Sequence, residues 1–437
     1  MGRIEKTVFI SYRRMNLPWA LAIYQNLTQD GYDVFFDYES INSGDFEQII
    51  LENIIARAHF LVLLTPSALE RCNNPGDWLR REIEMAISKR RNIVPLFLEG
   101  FNFGSSSISK YLTGNLATLT KYNGLNIPYD YFEEAMQRLQ KDYLRVPLDA
   151  VLHPRSNKGI YEAQRQQAAA KKAPKVNKRE LEAQKWFEKA NNIKNLDDKI
   201  DLYTHALELN PNYAYAYNNR GFAKHQKGEI SEAILDYEMA IAKDYFLGQA
   251  YNNLGLAYYA LENYDAAIEN YNLAIKYKIE GQDISYLNMG KAFRVIGDYQ
   301  SAIHAYSAAI KHNRNYANAF LGRSITYWLM GDFNAALIDI SKSIQIDNKN
   351  SSAFFYRGSF HYELQKYNEA ILDYSISIQL DPNIPNAYYN RALSYIEIYR
   401  YSDAIIDLEM YLNMGGGTQH GNQEQIELMI GNLIEQL

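Results

Sequence analysis

The strongest constraint on this chain is a period of about 34 residues that runs through its C-terminal half. Ala233, Ala267, Ala302, Ala336, Ala370 and Ala404 follow one another at intervals of 34, 35, 34, 34 and 34 residues. Twelve residues before each stands a small residue, in turn Gly221, Gly255, Gly290, Ser324, Gly358 and Ala392. Four residues after each come Tyr237, Tyr271, Tyr306, Ile340, Tyr374 and Leu408. A period of this length marks one supersecondary unit that cannot bury its apolar face alone, so successive units must stack on each other. Small residues let two helices approach closely, and large ones fill the gaps between layers.

The pattern resembles the tetratricopeptide repeat, a pair of helices stacked into a solenoid. Tyr203, Ala206 and Pro211 hold the same phase one period earlier, so a degenerate repeat opens an array of one plus six over residues 181–421. Gly415-Gly416-Gly417 closes the last unit, and residues 422–437 read as a capping helix. The interval of 35 residues, around Gly281, reads as a tolerated loop insertion. The resemblance implies a concave groove lined mainly by first helices. Asn219, Asn253, Asn288 and Asn390 recur at one position and resemble an asparagine ladder that holds an extended peptide. An amide suits this task because it donates and accepts at once. The series breaks at Gly322 and Tyr356. Tyr259, Trp328, Tyr362 and Tyr389 either add aromatic surface to the groove or pack between helices. The paired lysines of a carboxylate clamp are missing, so the expected partner is an unidentified protein or peptide ligand.

At 437 residues the chain exceeds one ordinary domain. Its 45 Lys and Arg against 51 Asp and Glu leave no nucleic-acid footprint. A single cysteine, Cys72, excludes an internal disulfide or a cysteine metal cluster. The start has no apolar run of a signal peptide, and no stretch nears the roughly 18 residues that span a bilayer. The expectation is a soluble cytoplasmic protein with no membrane partner. Most of the 37 tyrosines lie after residue 200, so the two halves differ in kind.

In the first half, residues 1–146, short apolar runs alternate with amphipathic segments. Thr7–Ile10, Asp33–Phe36, His59–Leu64 and Ile93–Leu98 read as strands, with a weaker one near Leu119. Helices begin near Leu17, Phe46 and Trp78, and a last one covers Tyr129–Tyr143. Such alternation implies a five-stranded parallel sheet covered on both faces. Ligands then bind beyond the carboxyl ends of strands, where the winding reverses. If the first and third strands are neighbours, Ser11-Tyr12-Arg13-Arg14 and Thr65-Pro66-Ser67 edge that crevice.

The helix around Trp78 has Leu79, Ile83, Ala86 and Ile87 on a core stripe. Trp78 and Glu82 share a second stripe about 100° away, a border where a carboxylate is partly desolvated yet can reach a ligand. Asn74-Pro75-Gly76-Asp77 predicts an N-cap at Asn74, a Pro at the first helical position and an acid in the first turn.

Val8–Arg14 resembles the first box of the TIR domains, and Asp37–Phe46 the family's loop after the second strand. Phe101-Asn102-Phe103 is a weak third box. Ala68–Cys72, Asp77-Trp78 through Glu82-Ile83, and Asn92–Pro95 are most similar to the NAD-hydrolysing branch. The resemblance implies a flavodoxin-like α/β fold. It also implies that Glu82 is catalytic, that Trp78 lies near the nicotinamide, and that Arg13, Arg14, Phe46, Tyr12 and Ser11 help bind substrate. Asn42 departs from the animal pattern, which has an acid there.

The chemistry suits so few groups. Nicotinamide leaves NAD+ as a neutral molecule, so no strong general acid is needed. An oxocarbenium-like ribose does need stabilising, which one partly desolvated carboxylate can do. Trp78 would stack on the nicotinamide, and Arg13 or Arg14 would neutralise the diphosphate. NAD+ is here a substrate, and no cofactor is implied. The family further implies self-association through TIR domains and a place in prokaryotic immune signalling, with the repeats as regulator. The alternative is a non-catalytic adaptor whose repeats bind a peptide.

Between the halves, residues 147–180 read as a linker. Gln164–Lys175 lacks large apolar residues and carries clustered lysines. It predicts a solvated helix broken at Pro174, or a flexible tether.

Overall fold

In the computed structural model, which describes residues 5–38, 46–147, 150–277 and 281–437, the apolar runs of the first half form one sheet. Its strands are β1 (Thr7–Ser11), β2 (Asp33–Phe35), β3 (His59–Leu64), β4 (Asn92–Phe97) and β5 (Leu125–Asn126). They pair in parallel in the order β2-β1-β3-β4-β5. Successive side chains leave a strand on opposite faces. Val8, Ile10, Leu61, Leu63, Val94 and Leu96 therefore join α1 (Leu17–Gln29) and α5 (Phe132–Arg138) in one core. Phe9, Phe60, Val62, Leu64 and Ile93 join α2 (Phe46–Ile55), α3 (Trp78–Ser88) and the short α4 (Ser106–Ser109) in the other. The winding reverses between β1 and β3, which opens the crevice at the carboxyl ends of those strands.

Two local expectations are corrected. The strand near Leu119 is a 3-10 helix, Gly114–Lys121, and the fifth strand lies at Leu125–Asn126. Leu116 and Leu119 explain this, because a spacing of three puts both buried side chains on one 3-10 face. The N-cap of α3 is Asp77, whose carboxylate accepts from the Arg80 amide, and Pro75 lies outside the helix. Asn74 instead caps a turn by accepting from the Gly76 amide.

The linker segment contains α6 (Asn157–Lys172), which ends just before Pro174. It lies along β2, where Gln167 Nε2 donates to the Val34 carbonyl at 2.9 Å and to Asp33 Oδ1 at 2.6 Å. Ser156, its N-cap, donates to Glu52 of α2 at 2.6 Å. Of the two expectations the helix ending before Pro174 is the one found, and it packs on β2 and α2 where a solvated face or a tether was the alternative.

Contacts divide the chain into Met1–Phe246 and Leu247–Leu437. The first unit holds the sheet, α6 and two helix pairs: α7 (Lys178–Asn191) with α8 (Leu196–Leu209), then α9 (Ala214–Gln226) with α10 (Ile230–Lys243). The second unit continues with α11 (Gly248–Ala260), α12 (Tyr264–Lys276), α13 (Gln282–Val295), α14 (Tyr299–His312), α15 (Ala317–Leu329) and α16 (Phe333–Ile346). It ends with α17 (Ser351–Glu363), α18 (Tyr367–Leu380), α19 (Pro385–Glu397), α20 (Tyr401–Asn413), α21 (Gly416–His420) and α22 (Gln423–Ile434).

Size matching inside each pair explains the small residue of the period. A Cβ at Gly221, Gly255, Gly290 or Gly358 would come within 2.6–2.9 Å of the ring of Tyr237, Tyr271, Tyr306 or Tyr374 respectively. Where the ring is replaced by Ile340 or Leu408, the small residue carries a Cβ, as Ser324 and Ala392. Tyr306 also presses on Gly322, where a Cβ would meet Cε1 at 2.6 Å. That contact accounts for the first gap in the asparagine series. A second periodic device ties the two helices of a pair, through forked bonds from Arg220, Arg323, Arg357 and Arg391 to Asp236, Asp339, Asp373 and Asp407, all at 2.6–2.9 Å. The additional residue of the 35-residue interval falls between α12 and α13, where Gly281 takes φ +79°.

Candidate functional site

Glu82 stands one turn into α3, on its half-buried border. Ser11, the last residue of β1, donates its hydroxyl to Glu82 Oε2 at 2.5 Å. Burial pushes the Glu82 carboxyl up to about 8, against the pull of the Ser11 hydrogen bond, while the charge of Asp37 raises it further. A carboxylate this far from its ordinary range, at a sheet edge, marks a functional candidate.

Trp78 lies one turn before Glu82 and meets Phe46, the first residue of α2, edge to face at 4.9 Å. The Arg81 guanidinium lies over the indole at 4.7 Å and pairs with Glu47. An aromatic wall and a carboxylate therefore share one end of α3. Phe46 also marks where the chain returns from the segment 39–45, so Asn42 lies outside the described residues.

Arg13 and Arg14 are neighbours with different placements. Arg13, 5% exposed, forks onto Asp77 at 2.7 and 3.0 Å and donates to the Ala68 carbonyl at 2.7 Å. Burial pushes the Asp77 carboxyl up, but Arg13 prevails and holds it below its ordinary range. The Arg13 guanidinium so turned fixes the start of α3 and is not presented to the crevice, contrary to the expectation that it neutralises a diphosphate. Arg14 is half-buried and donates to the Tyr12 hydroxyl at 3.1 Å and to the Asp37 carbonyl. Tyr12 donates to that same carbonyl at 2.5 Å. The two side chains thus hold the chain where it leaves β2.

Asp37 was read only as the start of the loop Asp37–Phe46 and not as a site residue in its own right. Burial pushes its carboxyl up to about 6 against the pull of Arg14, and its Oδ1 is buried with no hydrogen-bond partner. The signal available was an acid immediately after a short apolar strand, at the edge of the same crevice. Cys72 is buried, and burial pushes its thiol up to about 12, away from the thiolate form a nucleophile needs. No cluster of metal-ligating side chains occurs among the described residues.

In the repeats, Asn253 and Asn288 are 6% and 8% exposed. Asn219 donates to Asn191 Oδ1 at 3.3 Å and to the Tyr203 hydroxyl at 3.4 Å, and Asn390 sits beside the Tyr374 hydroxyl. The amides of Asn219 and Asn390 thus meet second-helix tyrosines. Trp328 stacks on Phe360 at 4.2 Å, and Tyr259, Tyr362 and Tyr389 each meet another ring, so these aromatics pack between helices.

Residues 8–139 match the TIR domain family, and residues 202–235, 248–278, 287–353 and 358–398 match tetratricopeptide repeat families. Over 136 residues the chain is 34% identical to the NAD(+) hydrolase tir-1 of Caenorhabditis elegans, covering 30% of this chain and 14% of that protein. Over 138 residues it is 31% identical to the NAD(+) hydrolase sarm1 of Drosophila melanogaster, covering 31% of this chain and 10% of that protein. The chain thus spans a small fraction of the length of the curated relatives it matches. Among solved structures, a tetratricopeptide repeat protein from Parabacteroides merdae aligns at 17% identity with a TM-score of 0.45, over 58% of this chain and 98% of that one. The APC/C hetero-tetramer Cut9–Hcn1 aligns at 16% identity with a TM-score of 0.43, over 73% of this chain and 65% of that one. The N-terminal domain is a TIR domain similar to those of NAD+ hydrolases, and a tetratricopeptide repeat solenoid follows it.

Proposed function

We propose that this chain is an NAD+ glycohydrolase that breaks the bond between nicotinamide and ribose. The observation that carries the reading is the half-buried Glu82 carboxylate, hydrogen-bonded to Ser11 and one turn from the Trp78–Phe46 wall. Similarity of the domain to NAD+ hydrolases at 34% and 31% identity supports the same reading. In the step, the C1′–N bond breaks and its electron pair neutralises the pyridinium. Glu82 stabilises the positive charge that grows on the ribose. Water then adds at C1′ and loses a proton, giving ADP-ribose, or a nitrogen of the adenine ring adds to give a cyclic product. The bound cation itself favours the ionised form of Glu82. Trp78 and Phe46 face the nicotinamide, Arg14 attracts the diphosphate, and no resident cofactor takes part.

Activity depends on self-assembly of TIR domains and is regulated by the repeats, in immune signalling within the cytoplasm. Residues 1–146 are the catalytic part, 147–180 the linker, 181–421 the regulatory array and 422–437 its cap. A rival reading is a non-catalytic adaptor with a peptide-binding groove, which the closed Asn253 and Asn288 disfavour. The test is nicotinamide release from NAD+ by the concentrated full chain, wild type beside Glu82→Ala. Release by the wild type alone supports the enzyme, and equal release by both removes Glu82 from its role.

A further inference from the structure

The first helix pair of the array docks on the crevice of the TIR domain within the same compact unit. Gln184 of α7, fully buried, donates to Asn16 Oδ1 at 2.6 Å, and Asn16 donates on to Thr65 Oγ1 at 3.2 Å. One turn later Glu188, 1% exposed, accepts from the Ser67 hydroxyl at 3.0 and 2.9 Å, and from the Thr65 side chain and the Ser67 amide as well. The Tyr213 hydroxyl donates to the Met15 carbonyl at 3.0 Å, and Met15 packs among Phe187, Tyr203 and Tyr213. Thr65 and Ser67 directly follow β3, and Asn16 follows β1, so α7 covers the place where the winding reverses.

Glu188 is an unusual group to bury there. Its donors are neutral, its nearest charged neighbours include Glu70 and Glu99, and no ion pair reaches it among the described residues. A carboxylate buried without a cation weakens the contact it makes. The same donors, two hydroxyls and a backbone N–H at a switch point, suit an anionic ligand group.

We propose that α7 is an internal occupant of this cradle: Glu188 sits where a diphosphate-bearing ligand would place an anionic group, so docking of the repeats and ligand binding exclude each other. The identity of the natural competitor rests on the NAD+ reading, whereas the competition itself does not. Occupation of the cradle by ligand would release α7, which would then cover the crevice only while ligand is scarce.

The test uses the full chain and inorganic pyrophosphate, which cannot be turned over by glycoside cleavage. Hydrogen exchange of the α7 amides, residues 178–191, is followed as pyrophosphate is added, with sodium chloride at equal ionic strength as control. The expected result is exchange at least threefold faster with pyrophosphate and unchanged with chloride. Glu188→Gln keeps the shape, removes the repelled charge, and is expected at pH 8 to slow α7 exchange and to raise the pyrophosphate needed for release at least threefold. Pyrophosphate that binds by calorimetry without changing α7 exchange would overturn the proposal, as would an absence of binding. Nicotinamide release is read separately, so an inactive chain with a normal exchange response would count against the enzyme and leave the competition standing.

Discussion

Arg13 and Asp77, far apart in sequence, meet in a buried fork at 2.7 and 3.0 Å, and the acid of that pair is the N-cap of the helix that carries Glu82. Removing the guanidinium leaves an uncompensated buried carboxylate, which costs about 3–5 kcal/mol. Arg13→Ala is therefore expected to lower the urea midpoint clearly without changing the slope. In the fraction that stays folded, nicotinamide release should fall on the order of tenfold or more, because small misplacements of a reacting group are costly. Denaturant unfolding beside a turnover assay checks both parts.

Ser11 acts on Glu82 through one hydrogen bond that favours the charged carboxylate. The kcat/KM for NAD+ should rise with pH as Glu82 ionises, with an apparent midpoint near 8. Ser11→Ala removes the opposing pull and should move that midpoint upward, with a lower rate at pH 7. A profile that keeps its midpoint in the variant would separate Ser11 from the titration.

Burial raises the carboxyls of Glu82, Asp37, Glu99 and Glu188 to about 8, 6, 7 and 7. Above the ordinary carboxyl range the unfolded chain has released these protons while the folded chain retains them. The unfolded state then binds fewer protons, so stability falls as pH rises. This contribution is complete below about pH 4 and is lost as pH climbs through 6 to 8. Thermal unfolding from pH 5.5 to 8.5 should show a falling midpoint, and Glu188→Gln should flatten part of that slope.

The glycine–tyrosine matching in the repeats makes a reciprocal prediction. Gly255→Ala forces a Cβ to within 2.6 Å of the Tyr271 ring and should destabilise by about 1–3 kcal/mol. Tyr271→Leu alone leaves a cavity, yet the double variant should recover much of the loss, as Ala392 with Leu408 already does in the natural chain. A double-mutant cycle in urea measures the coupling, which is expected to exceed 0.5 kcal/mol by the usual scale for contacting residues.

What the sequence displayed was what periodicity controls. The stacked helix pairs follow from a pattern present in six successive copies, and the sheet follows from apolar runs whose alternate residues reach two cores. The place of Glu82 on the half-buried border of α3 was legible because it depends only on the helical turn, whereas its catalytic role was what the family resemblance implied. Arg13 was misplaced because nothing local distinguishes a guanidinium turned toward Asp77 from one turned toward a ligand. Gln184 and Glu188 owe their place to partners from distant parts of the chain, and no pattern of one segment encodes such a meeting. In the linker the helix and its end before Pro174 were legible, but its packing was not. Gln167 is polar, but its amide satisfies a strand carbonyl, so composition alone marked as solvated a helix that packs.

That last contact bears on how the TIR domain behaves when separated from its repeats. β2 is the outermost strand on its side of the sheet, and α6 covers it. A domain ending at residue 146 would keep the strand and lose the cover. Its free carbonyls and amides would form a template for strand addition by other molecules. Clustering of such a fragment would then include edge-to-edge aggregation, and a boundary drawn beyond α6 would remove that contribution.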